Sequence, residues 1–187
     1  MLLDIPDSIE SAPRPSQALL AGIRNQLGLL PNLHRLLALS PAALGGFSGI
    51  LSATSNDGLS PALRVGIALA VAEANADSYG VSMHRFFAGR DVGLSEDEIA
   101  ANRSCDSHDP QRRVALRFVL SALRDKNAVP MDELEALSVA GFTNANVLEI
   151  LQHVAFNTWS AYIAAVAALP VDFPLIVPRG RSGFEDH

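Results

Sequence analysis

Residues 62–75 read ALRVGIALAVAEAN, and only Arg64 and Glu73 interrupt the apolar run. The run does not alternate, so it is not a half-exposed strand. Read as a helix, it is apolar on nearly every side and must be buried on most of its circumference. Ser60-Pro61 directly before it supplies an N-cap and a proline suited to the first helical turn. A helix of this kind needs other elements packed all round it, and composition says what they are. The chain has 28 Ala and 26 Leu against 13 Val and 9 Ile. Ala and Leu favour helix while Val and Ile favour strand. The fold class expected is all-α. At 187 residues the chain makes one domain or at most two, and buries roughly 70% of its unfolded surface without needing disulfides or a structural metal.

Punctuation along the chain divides it. Residues 1–15 carry Pro6, Pro13 and Pro15 and read as an extended lead-in. Residues 16–170 read as one helical domain, and 171–187, with Pro174 and Pro178, as an extended C-terminal arm. Ser16 is placed to cap a first helix ending near Gly28. Pro31 opens a short helix, and Ser40-Pro41 starts another that runs to about Ser55. Asn56-Asp57-Gly58 is a turn, followed by the apolar helix. Asp77-Ser78 caps a helix through His84 to about Ala88, and Ser95-Glu96-Asp97-Glu98 is a capping box. Cys105 to Pro110 is a polar loop, Gln111–Arg124 an amphipathic helix, and Pro130-Met131-Asp132 opens a helix through Ala140. Gly141 stops it, and Thr143 caps a long helix from Asn144 to about Ala168.

A net charge of −6 argues against nucleic acid or an anionic membrane surface as partner. The first ten residues, MLLDIPDSIE, carry three acids and no basic n-region, unlike a secretory signal. The longest apolar stretch, Ala161 to Val171, is too short to span a bilayer. The expectation is a soluble, cytoplasmic protein. Cys105 is the only cysteine, so there is no intrachain disulfide, no CxxC pair and no zinc knuckle.

The segment Ala70 to His84, AVAEANADSYGVSMH, resembles the carboxymuconolactone decarboxylase and alkylhydroperoxidase D-like family. That family's signature helix carries a CxxC redox pair with a histidine four residues after the second cysteine. Leu59 to Arg64 resembles its lead-in, GFTNANVLE (141–149) and HVAFNTW (153–159) its later helices, and Val171-Asp172-Phe173-Pro174 the ending of its peroxidase-related branch. The likeness runs from about Leu20 to Pro174. It implies the alkylhydroperoxidase D-like helical domain and a homo-oligomer, dimer to hexamer. It implies no metal and no cofactor.

The chain departs from the signature where the chemistry lies. Asp77 stands at the first cysteine position and Gly80 at the second, and Val65 at the usual relay glutamate; Glu73, Tyr79 and His84 remain. Reducing a peroxide in this way requires a thiolate and a second thiol that resolves the sulfenic acid. Thiol peroxidase activity is therefore expected to be lost. Asp77, Gly80 and His84 are spaced i, i+3, i+7 and fall on one helical stripe. The missing side chain at Gly80 leaves an expected gap between acid and imidazole, with Glu73 near the same stripe. A small molecule or ordered water fits that reading. In the alternative, Asp77 is a helix cap and His84 a core hydrogen-bonding group.

Catalytic candidates are thus His84, Asp77 and Glu73, and pocket candidates Tyr79, Gly80, His153 and Asn157. Arg64 or Arg85 is the expected partner of Glu73. Asp106, His108 and Asp109 crowd one loop but read as the start of a helix rather than a metal site. Three functional readings stand: a small-molecule-binding or scaffold homo-oligomer without the redox pair; a non-redox acid/base enzyme using His84 with Asp77 or Glu73; and residual redox activity through Cys105, between subunits. The C-terminal arm is expected to wrap a neighbouring subunit.

Overall fold

The computed structural model describes residues 3–124 and 129–179. Nine α-helices occur among them and no strand: α1 (Arg14–Leu27), α2 (Asn32–Leu37), α3 (Pro41–Ser55), α4 (Pro61–Ala74), α5 (Ser78–Phe87), α6 (Glu96–Asn102), α7 (Pro110–Arg124), α8 (Met131–Val139) and α9 (Asn144–Val166). No helix among the described residues is long and apolar enough to cross a membrane.

The apolar run becomes α4, and α5, α6, α7 and α9 pack around it. Its residues from Gly66 to Glu73 are all buried. On one side Leu63, Ile67 and Val71 meet Leu116 and Val119 of α7 and Ile150 of α9. A second core gathers Leu20, Leu33, Leu44 and Phe47 of the N-terminal helices with Tyr79, Phe156 and Phe173. Each fully buried Leu, Ile or Phe contributes about 1.5–3 kcal/mol.

Helix starts follow the capping residues. The hydroxyls of Ser40, Ser60 and Ser95 each accept the backbone N–H three residues on, at 3.2 Å. Thr143 and Asn146 form a reciprocal capping box. Ser16 does not cap: α1 begins two residues earlier, and its hydroxyl donates to the Ala38 carbonyl at 2.8 Å, tying α1 to the end of α2. After α5 the chain widens into one π-helical turn, Ala88–Val92, closed by Gly93 at φ 72°.

The C-terminal arm, as far as Arg179, lies on its own chain. Phe173 packs against the rings of Tyr79, Phe86 and Phe87. The Ile176 N–H donates to Ser82 Oγ (2.9 Å), and Arg103 donates to the Val177 carbonyl (3.2 Å). The expectation that the arm wraps a neighbour is corrected for this stretch, because its backbone groups are satisfied at home; residues 180–187 lie outside the described residues.

Candidate functional site

The turn between α4 and α5 sets the site. Asn75 Nδ2 donates to the Val71 carbonyl (2.8 Å), and Ala76 takes a left-handed conformation, φ 54°. That conformation costs a non-glycine residue roughly 1–2 kcal/mol and swings Asp77 back towards α4, where its N–H donates to the Ala72 carbonyl (2.9 Å). Asp77 is the N-cap residue of α5, yet its side chain makes no well-formed cap hydrogen bond. The carboxylate instead folds over the first turn. A Cβ built on Gly80 would stand 2.3 Å from Asp77 Oδ2 and 3.0 Å from Ala72 Cβ. The expected gap at Gly80 is therefore already filled, by the carboxylate of Asp77. Burial pushes that carboxyl above its ordinary value, and the facing amides of Gly80 and Tyr79 pull it back in part.

Beside Asp77 opens a pocket of about 170 Å³. Asn75, Asp77, Ser78 and Tyr79 form its polar side, and Ala161, Ala164, Ala165 and Ala168 of α9 form an apolar wall. Tyr79 contributes its ring edge, but its hydroxyl is committed to α2, where it accepts the Leu33 N–H (3.1 Å). Burial raises the phenol's pKa well above its ordinary value, so it stays protonated.

Helices α5 and α9 run antiparallel here, so Asp77 faces the alanines while His84 faces Asn157. His84 does not line the pocket. Its ring is partly buried and held down to about 4 by desolvation, so it is neutral at physiological pH. Asn157 Nδ2 donates to the His153 carbonyl at 2.8 Å. His153 turns away from the pocket and shares a 2.7 Å contact between its Nε2 and Asp57 Oδ2. Asp57 also receives Arg64 (3.2 Å). Burial lowers the His153 pKa, with Asp57 opposing the shift.

Glu73 does not join this group. Although only four residues before Asp77, it points to the opposite side of α4. There Oε2 takes Arg103 Nε at 2.7 Å and Oε1 accepts the backbone N–H of Arg179. Its expected partners are engaged elsewhere, Arg64 with Asp57 and Arg85 with Glu96 (2.9 Å). Glu73 is thus the anchor of the C-terminal arm. Cys105 is buried among Leu59, Leu63 and Leu116 in the α4–α7 core, and burial pushes its thiol up to about 12. It cannot meet a second cysteine across a subunit boundary without unpacking that core.

The loop acids are likewise used locally. Asp106 pairs with Arg113 (2.7 Å), and Asp109 Oδ1 accepts the Arg112 N–H (2.9 Å) at the start of α7. Among the described residues no group of three or more His, Cys, Asp or Glu is placed to hold a metal ion. Sequence reasoning missed Asp57 and Arg103. Asp57 carried only a turn signal, and nothing in the sequence ties it to a histidine 96 residues away.

Comparison with solved structures places this arrangement on a known fold. The chain is similar to an uncharacterized peroxidase-related protein from Silicibacter sp. TM1040, with a TM-score of 0.75, 20% identity, and coverage of 91% of this chain and 90% of that one. It is similar to the debrominase Bmp8 in complex with 2,3,4-tribromopyrrole, with a TM-score of 0.76, 19% identity and 92% of each chain covered. A third likeness is to an alkylhydroperoxidase AhpD core protein, peroxidase-related, from Ralstonia eutropha JMP134, with a TM-score of 0.70, 20% identity, and 91% and 92% covered. The fold is the alkylhydroperoxidase D-like helical fold. No protein-family model matches the sequence, and no curated protein matches it.

Proposed function

We propose that this chain is a thiol-independent, small-molecule-binding protein of the alkylhydroperoxidase D-like group, working as a homo-oligomer and taking its ligand in the pocket beside Asp77. One observation carries the reading: the Asp77 carboxylate lies over Gly80 and borders the pocket, so the two cysteine positions of the related signature form one carboxylate-bearing unit. Peroxide reduction by that signature needs two thiols; here the only cysteine is deeply buried. A cavity of about 150 Å³ holds a benzene ring, so a pocket of about 170 Å³ suits one ring. Alanines on one side and a carboxylate on the other favour a flat ring bearing a single N–H or O–H. The debrominase complex, with its halogenated pyrrole, supports non-peroxidase chemistry on this fold and a ligand of that type.

Titration of the labelled protein with pyrrole and with phenol tests this. Shifts should concentrate on the amides of 75–79 and 161–168 and vanish in Ala165→Phe, which fills the pocket from its exposed wall. Shifts scattered over the surface, or unchanged in that variant, would sink the binding site. Dithiol-dependent hydroperoxide turnover by the native protein would sink the thiol-independent reading.

The oligomer rests on α9, where Leu148, Leu151, Tyr162 and Val166 are exposed and Glu149 is the only charged residue from 144 to 166. A monomeric mass by light scattering would remove it.

A second reading is favoured by the neutral ring of His84 facing α9. It is non-redox acid/base chemistry with His84 as the proton-transferring group and Asp77, not Glu73, orienting the substrate.

A further inference from the structure

His84 lies about two turns beyond Asp77 on the face of α5 that meets α9. A neutral imidazole exists as two tautomers, and the hydrogen bond made by one ring nitrogen decides which of them carries the proton. The group that faces this ring across the helix pair is the side chain of Asn157, which is buried. The Asn157 amide nitrogen is already committed, donating to the His153 carbonyl at 2.8 Å. That commitment fixes the orientation of the amide group. What remains for His84 is the side-chain oxygen, which can accept a hydrogen bond and cannot donate one.

The charged groups nearby do not supply a competing partner. His153 is the neighbouring ring on α9, and its Nε2 is held by Asp57. The carboxylate of Asp57 is shared with Arg64 from α4. Glu149, one turn earlier on α9, is taken by Asn146 (2.9 Å) and the Gly58 N–H (3.2 Å). Arg85, next to His84 on α5, is paired with Glu96.

We propose that Asn157 is a positioning residue for His84: its side-chain oxygen accepts one ring N–H, holds the imidazole in a single tautomer, and leaves the opposite nitrogen as the proton acceptor. The use of that nitrogen in chemistry rests on the acid/base reading above. The tautomer itself does not, and it can be measured without substrate.

Long-range proton–nitrogen spectra of the labelled protein at pH 7.5 report the protonated nitrogen of each histidine directly. The native protein should show His84 in one tautomer. Asn157→Ala, checked for native helicity, should move the tautomer ratio towards a mixture by about tenfold, the value of one ordinary hydrogen bond. Asn157→Asp keeps an oxygen acceptor in place, so it should give the native tautomer or a doubly protonated ring. The proposal is overturned if folded Asn157→Ala keeps the native ratio. Should Asn157→Ala not fold, Asn157→Asp decides alone, and a mixed neutral ring there overturns the proposal. A single native tautomer with no turnover of any ring compound would count against the acid/base reading and leave the positioning role standing.

Discussion

Two carboxylates four residues apart, Glu73 and Asp77, meet opposite fates. Glu73 is 2% exposed and fully partnered, with Arg103 on one oxygen and the Arg179 amide on the other. Asp77 is also partly buried, but it has no cation; it lies against its own helix turn at the edge of a pocket. The same contrast recurs among the imidazoles. His153 is held by Asp57, while His34 is 4% exposed, packs edge-on against Phe47, and has no partner for either ring nitrogen. Where partners are complete, the group fastens one part of the chain to another. Incomplete partners leave a group able to answer a ligand or a proton.

The largest effect should come from breaking the fastened side. Glu73→Ala strips Arg103 and the arm of their common anchor, and removing one member of a buried pair costs about 3–5 kcal/mol. Chemical denaturation should show that loss, and hydrogen exchange at 173–179 should become fast while the amides of α5 stay protected. If the arm stayed protected, the contacts of Phe173 and Ser82 would be holding it without Glu73.

The unpartnered imidazole predicts an acid limb. Desolvation holds His34 down to about 4, against an unfolded value of about 6.5. The unfolded chain therefore binds one more proton between those two values, so stability falls as pH drops from about 6.5 to about 4 and this group adds nothing further below. A fully buried ring shifted this far accounts for on the order of 3 kcal/mol. His84 acts in the same window and in the same direction. Melting temperature followed across that range should fall in the native protein and fall less steeply in His34→Leu, which removes the orphan ring. An equal slope in the variant would put the acid sensitivity elsewhere.

How much of this was legible in the sequence follows from the same physics. Helix starts were readable because Ser40, Ser60, Ser95 and Thr143 act on backbone groups three residues away. The stripe Asp77–Gly80–His84 was readable from helical spacing, and so was the pairing of His153 with Asn157 on one face of α9. The facing of Glu73 was not. A helix apolar on all sides carries almost no hydrophobic asymmetry, so nothing in residues 62–75 says which flank of α4 meets α6. Asp57 was hidden for another reason: its partners, Arg64 and His153, are brought to it only by the packing of α4 on α9. The fill of the space at Gly80 depended on a side-chain direction, which sequence spacing does not give.

That last point carries the smallest and sharpest test of the contrast. Gly80→Ala should gain about 1 kcal/mol from helix propensity. The added Cβ would however lie 2.3 Å from Asp77 Oδ2, and overpacking of this kind costs about 1–3 kcal/mol. The single variant should therefore be neutral to destabilised. Asp77→Ala removes the obstructing carboxylate, leaving Ala72 Cβ at 3.0 Å as the nearest contact. In that background Gly80→Ala should become stabilising. The coupling energy from the four-way cycle should be favourable and fall in the range of about 0.5–3 kcal/mol seen for residues in contact. Additive changes would mean that the Asp77 carboxylate leaves the first turn of α5 at no cost, swinging into the pocket. Asp77 would then be a mobile acid rather than one seated on Gly80, and its difference from Glu73 would be one of motion as well as of partners.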